Sequence, residues 1–236
     1  MKFSVTLSAN AGVSLEWGGK KIWIDALHRE KQPGFSPVSD ELFRQMERTP
    51  AFQDPDLIVF THCHGDHYCR ELAMAAGKRY PHAAVLLPEQ QIDSQVLVHG
   101  HAFSYQLGEI KLEFIRLVHE GEQYENCVHY GILIRYGDQS VLIPGDCRLT
   151  EPALADAVRG MKINLALLNF PWLTLPKPRA FLVEKIQPEH VLFYHLPFEK
   201  DDVNGFRLAA EKALQKMANP QFGLLHRPLQ RVEIEL

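Results

Sequence analysis

The sequence predicts a chain of mixed class, α+β or α/β, on three observations. The first third reads as strand after strand. The middle is rich in alternating apolar and polar runs. The last third alternates helical stretches with short apolar strands. Together these suggest two sheets packed face to face with helices outside, although periodicity alone does not specify a four-layer arrangement.

Each element has a local reason. Lys2–Leu7, Gly12–Glu16 and Lys21–Asp25 are short β-like runs separated by turn material, notably Gly18-Gly19. Residues 29–38 carry two prolines and a glycine and read as a surface loop. Ser39 is placed to cap a helix, with Leu42, Phe43 and Met46 at helical spacing behind it. Leu57–Phe60 reads as a buried strand. Tyr68 to Lys78 reads as a helix ending at Gly77 or just beyond, and Ala83–Leu87 as another strand. Further on, Ile110–Val118 alternates, and Tyr130–Tyr136 and Ser140–Ile143 flank the hairpin signal Gly137-Asp138. Helical stretches are expected near 150–159, 178–187 and 203–218. Strands are expected at Ile163–Leu168, His190–Tyr194 and Arg231–Leu236.

Composition bounds the function. The chain has 236 residues, 46% hydrophobic and 23% charged, with a formal net charge of −4. That length is expected to form one domain, 1–236, with a core that needs no covalent staples. Mild acidity gives no support for a nucleic-acid coat or a membrane-surface role, and the expected partner is a small-molecule substrate, with no nucleic acid and no membrane. No apolar run approaches the ~20 residues that span a bilayer. Met1-Lys2 leads straight into an alternating strand, and a cytoplasmic location is expected. Cys63, Cys69, Cys127 and Cys147 form no CxxC pair, which argues against a zinc ribbon or a thioredoxin-like motif. Oligomeric state stays open, with Trp17 or Trp172 expected to serve an interface if exposed.

The chemistry concentrates in His62-Cys63-His64-Gly65-Asp66-His67, directly after the apolar run Leu57-Ile58-Val59-Phe60. A lone histidine is usually a surface residue or a satisfied core residue. Three imidazoles and a carboxylate in six positions reverse those odds, because imidazole suits zinc and related metals and carboxylate adds an anionic ligand. His62 and His64, two residues apart, project to the same side of an extended loop. Gly65 permits a sharp turn that aims Asp66 and His67 elsewhere. Later strand ends add isolated ligand-type residues: His119, Asp146 after Leu142-Ile143-Pro144-Gly145, and His195 after Val191-Leu192-Phe193-Tyr194.

These residues resemble the metallo-β-lactamase superfamily, in particular small stand-alone metal-dependent hydrolases similar to ascorbate-phosphate lactonase-like members. The family's His-x-His-x-Asp-His motif matches His62 to His67. Its later His, Gly-Asp and last His match His119, Gly145-Asp146 and His195. The opening hairpins, from Gly12-Val13-Ser14-Leu15-Glu16 through Ile22-Trp23-Ile24-Asp25, are also similar. The resemblance implies an α+β fold, a four-layer αββα sandwich with the metal site at one sheet edge. It implies two divalent ions, zinc first, with manganese, iron or nickel as alternatives. One would be held by His62, His64 and His119, and the other by Asp66, His67 and His195, with Asp146 bridging. It further implies that a metal-bound hydroxide attacks an ester, lactone or phosphodiester bond, with Asp66 and Asp146 as catalytic residues.

Several positions carry a second reading. His129 is a rival to His119 as third histidine, or a hydrogen-bonded strand histidine. Asp25 resembles an aspartate that orients ligand histidines, and reads equally as a turn residue. Cys147 follows Asp146 where many relatives have a hydroxyl, and reads as a small core residue. Arg148 reads as an anion contact or a surface partner. Cys63 should point away from the ligands. Phe170, Trp172 and Phe198 read as substrate contacts or as packing of a proline-bordered loop. His99-Gly100-His101 lacks a partnering carboxylate. With His28, His82, His190 and His226, these two histidines are expected to be structural or solvent-facing.

Spacing prunes the family. The stretch from Asp146 to His195 is too short for the insertion of RNA-processing relatives, and the tail after His195 is too short for the extra domain of glyoxalase II-type enzymes. His64 stands where the oxygen-reducing di-iron branch has glutamate. Two rival readings remain: a non-catalytic metal-binding or sensor protein, and a tRNA-processing-type endonuclease, for which a basic arm is expected and not seen.

Overall fold

In the computed structural model, which describes residues 2–235, the elements follow in this order. Strands β1 (Lys2–Leu7), β2 (Val13–Trp17) and β3 (Lys20–Ile24) lead to helix α1 (Asp40–Met46) and strand β4 (Leu57–Val59). Helix α2 (Arg70–Arg79) precedes β5 (Ala84–Leu87), β6 (Val96–Leu97), β7 (Ala102–Leu107), β8 (Ile110–Arg116), β9 (Tyr130–Tyr136) and β10 (Gln139–Ile143). Helix α3 (Pro152–Ala157), strand β11 (Leu165–Asn169), helices α4 (Pro171–Thr174) and α5 (Pro176–Phe181), and a π-helical turn at Leu182–Ile186 follow. Strand β12 (His190–Tyr194), helix α6 (Phe206–Met217), β13 (Phe222–Leu224) and β14 (Arg231–Glu235) complete the chain. Backbone contacts group these into two compact units, one comprising the first 98 residues with Pro197–Val203 and the closing strand, the other His99–Leu196 with Asn204–Leu225.

The first unit carries a seven-stranded sheet in the order β14-β1-β2-β3-β4-β5-β6. Its hairpin half is antiparallel and turns at Gly18 and Gly19, whose φ values of 56° and 73° suit a tight two-residue connection. From β3 onward the pairing is parallel, so α1 and α2 serve as crossovers. Strand β4 is buried along its whole length, as a strand covered on both faces must be. Ser39 caps α1, its side chain accepting from the Leu42 amide, as the sequence predicts. Helix α2 begins at Arg70, two residues after the expected start, and runs through Gly77 to end just beyond it at Arg79, as the sequence predicts. A glycine inside a helix costs only about 1 kcal/mol, which the burial of Leu72, Ala73 and Ala76 offsets.

The second unit carries another seven-stranded sheet, ordered β13-β12-β11-β10-β9-β8-β7. Strands β7 to β10 form an antiparallel meander, and β10 to β13 are parallel. Gly137, at φ 61°, turns β9 into β10 where the Gly-Asp signal stands. Phe114, Trp172, Phe193 and Tyr194 are fully buried, each large side chain contributing on the order of 1.5–3 kcal/mol of apolar burial. Trp17 and Trp172 are 2% and 0% exposed, which corrects the expectation that either forms an interface. Both are core residues, because their rings pack edge-on or tilted against Phe3 and Phe181.

One close approach in the first unit bears on the site. A Cβ placed on Gly12 would stand 2.7 Å from the Asp25 carbonyl oxygen and 2.8 Å from the Ala26 Cα, both backbone atoms. Gly12→Ala should therefore cost about 1–3 kcal/mol, the usual range for overpacking. Urea unfolding checks this, and an unchanged midpoint would contradict the packing.

Candidate metal centre

The His62–His67 loop leaves the buried strand β4, and one carboxylate organises it. Asp25 follows β3, whose parallel pairing Ile24↔Val59 sets it beside Thr61. Its side chain is wholly buried. Oδ1 accepts from the Thr61 amide at 2.8 Å. Oδ2 accepts from the Thr61 hydroxyl at 2.6 Å and from His67 Nδ1 at 2.9 Å. The Thr61 hydroxyl has one proton, and Asp25 takes it. Its oxygen, 3.0 Å from His62 Nδ1, can then only accept from that nitrogen. Asp25 thus sets both His62 and His67 as Nδ1–H tautomers, with the Nε2 lone pair in the form a metal requires. Asp25 acts as the orienting residue of its two readings, and Thr61 joins it.

The loop is compact. The amides of His67 and Tyr68 both donate to the His64 carbonyl, at 2.9 and 2.8 Å. The His62 ring lies 4.6 Å from that of His64 and 4.1 Å from that of His67. Gly65 lies in this turn without a positive φ, so left-handed freedom is not why it is glycine. Its carbonyl accepts from the Glu30 amide at 3.1 Å, and the Glu30 side chain fills the space a Cβ would take. His62 and His67 are fully buried, whereas His64 and Asp66 are partly exposed. Burial pushes the neighbouring Tyr68 hydroxyl up to about 12, so it stays protonated.

In the second unit, three residues gather at the carboxyl ends of strands. A short antiparallel bridge pairs His119 with Cys147. It is closed by the Glu120 amide donating to the Asp146 carbonyl and the Arg148 amide to the Val118 carbonyl, each at 2.8 Å. His119 Nδ1 donates to the Glu120 carbonyl at 2.7 Å, again fixing the tautomer with its lone pair on Nε2. Asp146 follows β10 and His195 follows β12. Asp146 Oδ2 stands 3.8 Å from His119 Nε2 and 3.5 Å from His195 Nε2. Asp146 Oδ1 accepts from Asn169 Nδ2 at 2.7 Å.

Within the first unit the loop sets His62, His64 and His67 side by side with Asp66 among them, and within the second Asp146 Oδ2 lies near both His119 and His195. Imidazole nitrogens whose second nitrogen is hydrogen-bonded, joined by carboxylates, are a fitting donor set for zinc and other first-row divalent ions.

The remaining candidates fall elsewhere. His129 is buried, its ring 5.5 Å from that of His119, whereas His99 and His101 are exposed. Cys147 is 1% exposed, and burial raises its thiol well above the ordinary range, with Glu151, Asp146 and Glu120 adding to the effect. It is a packed neutral thiol. Cys63 is half-buried, and Arg148 is exposed. Trp172, wholly buried, presents no surface to a substrate, which corrects its reading as a contact. Phe170 stacks against Phe206 at 4.9 Å, and both Phe170 and Phe198 are largely buried. Thr61 and Asn169 carried no signal in the sequence, because each depends on a carboxylate far away in the chain, Asp25 and Asp146 respectively.

No protein-family model matches this chain, and no curated protein matches it. Solved structures do. It is similar to the metallo hydrolase Igni18 from Ignicoccus hospitalis KIN4/I, at TM-score 0.67 and 17% identity, covering 100% of each chain. The metallo-β-lactamase fold protein YhfI from Bacillus subtilis matches at TM-score 0.65 and 12% identity, over 99% of this chain and 100% of that one. A variant of the β-hydroxylase CmlA, a di-iron enzyme from Streptomyces venezuelae, matches at TM-score 0.70 and 16% identity. There the match takes in 99% of this chain, which spans only 54% of that one. The fold is therefore the α+β metallo-β-lactamase fold that the motif implied.

Thr61→Val keeps the shape of the side chain and removes the hydroxyl that joins His62 to Asp25. Metal affinity should fall about tenfold, the lower end for loss of such an orienting contact. Chelator competition measures this, and wild-type affinity would rule out the relay.

Proposed function

We propose that this chain is a dinuclear metal-dependent hydrolase acting on an ester, lactone or phosphodiester bond of a small molecule. His62, His64 and His119 would hold one divalent ion, Asp66, His67 and His195 the other, and Asp146 would join them. The observation that carries this reading is that His62, His67 and His119 each have Nδ1 held by an oxygen acceptor, which leaves the Nε2 lone pair for a metal. The fold, shared with a metallo hydrolase over the full length of both chains, supports it further.

When bound, a pair of divalent ions would lower the pKa of a water and polarise the bond under attack. The chain's own residues supply the rest. Asp25 and Thr61 keep protons on the Nδ1 atoms of His62 and His67, so neither imidazole has to reorganise on loading. The Glu120 carbonyl does the same for His119. Asp66, partly exposed beside the buried His67, offers a carboxylate to orient the attacking water or take its proton.

The test is turnover of bis-p-nitrophenyl phosphate and simple lactones by the zinc- and manganese-loaded protein. His64→Ala should lose most metal at one position and nearly all turnover, and Asp146→Ala should disturb both ions. Unaltered metal stoichiometry in either variant would refute the ligand assignment. Inactivity of a fully loaded protein across the panel would favour a sensor. Metal affinity should also weaken as pH falls into the imidazole range, because protons compete for the ligand nitrogens. Metal titrations at stepped pH measure this.

A further inference from the structure

We infer that Asn169 is a positioning residue for Asp146, making that carboxylate a one-oxygen ligand toward the metal centre. The inference rests on the reading above and concerns only residues of the second unit. Strands β10, β11 and β12 run parallel and adjacent, with Asn169 in register with Tyr194. Asp146, Asn169 and His195 therefore leave three neighbouring strands at the same end. Asn169 is the last residue of β11. It is 9% exposed, and its backbone is held where the Phe170 amide donates to the Tyr194 carbonyl at 3.0 Å.

An aspartate carboxylate has two chemically equal oxygens, and rotation about its last bond exchanges them. Asn169 removes that equality. Its amide Nδ2 donates to Oδ1 at 2.7 Å, while Oδ2 is the oxygen that the ring nitrogens of His195 and His119 approach, at 3.5 and 3.8 Å. The committed oxygen is occupied by a buried donor on a strand end, a rigid support. The other is directed at the histidines. A carboxylate so held meets cations through Oδ2, and loses the freedom to swing between one-oxygen and two-oxygen binding.

Cobalt(II) is the probe, because its visible absorption responds to ligand number and geometry even without turnover. Metal-free wild type, Asn169→Ala and Asn169→Leu are titrated with cobalt, and the thermal midpoint of each metal-free protein is recorded. Leu nearly matches Asn in shape, so it tests the donor where Ala would open a cavity. The inference expects both variants to fold and to bind cobalt about tenfold more weakly, with a changed visible band for the ion that Asp146 contacts. Wild-type affinity and spectrum in a folded variant overturns it and leaves the metal reading standing. Loss of cobalt affinity that only follows a fall in the metal-free midpoint, with an unchanged band, assigns Asn169 a structural role and also overturns it. Wild type that binds no cobalt overturns the metal reading and this inference together.

Discussion

A buried carboxylate holds the histidine-rich loop of the first unit together. Taking Asp25 out of water is costly unless its oxygens are filled by donors. Here they are filled by the backbone and side chain of Thr61 and by His67. The backbone at Asp25 bears its own strain, with φ at 49°, a conformation that costs a residue other than glycine on the order of 1–3 kcal/mol. The parallel pairing of β3 with β4 and the close approach of Gly12 leave it no alternative position. Desolvation and strain are repaid in orientation, because the same carboxylate fixes His67 directly and His62 through a hydroxyl.

The second unit solves the same problem with strand ends. Strands β10, β11 and β12 are largely buried, and Asp146 and His195 stand just past the ends of two of them. His195 adopts a left-handed backbone immediately after β12, at φ 58°, and Asp146 follows Gly145, at φ 61°, after β10. Abrupt changes of backbone direction at rigid ends allow small loops to aim side chains with little conformational freedom. Open parallel sheets in general bind ligands at the carboxyl ends of their strands.

Much of this was legible in the sequence, and the limits have physical causes. The six-residue motif, the hairpins at Gly18-Gly19 and Gly137-Asp138, and the Ser39 cap are local signals, and all appear at those positions. Strand ends shifted by a residue or two, since pairing partners decide where a ladder stops. Strands β6, β7 and β13 escaped notice. Two are only two or three residues long, and Ala102–Leu107 is an edge strand whose alternation is diluted by exposed positions. The helix around Gly77 starts two residues later than its pattern suggests and ends just beyond that glycine as expected, since tertiary burial outweighs a glycine's weak propensity. Asp25 was ambiguous in sequence because its meaning lies in contacts 36 and 42 residues away along the chain. Asn169 was invisible for the same reason, reaching 23 residues back to Asp146.

Solvent access to the motif is lopsided. His62 and His67 have no accessible surface, while His64 and Asp66, from the same six residues, keep some. In the proposed hydrolase, reactants would reach the loop from the side of His64 and Asp66. The buried flank keeps bulk water from the rings of His62 and His67. Such a centre would combine quick exchange of what it transforms with slow leakage of what it uses to transform it.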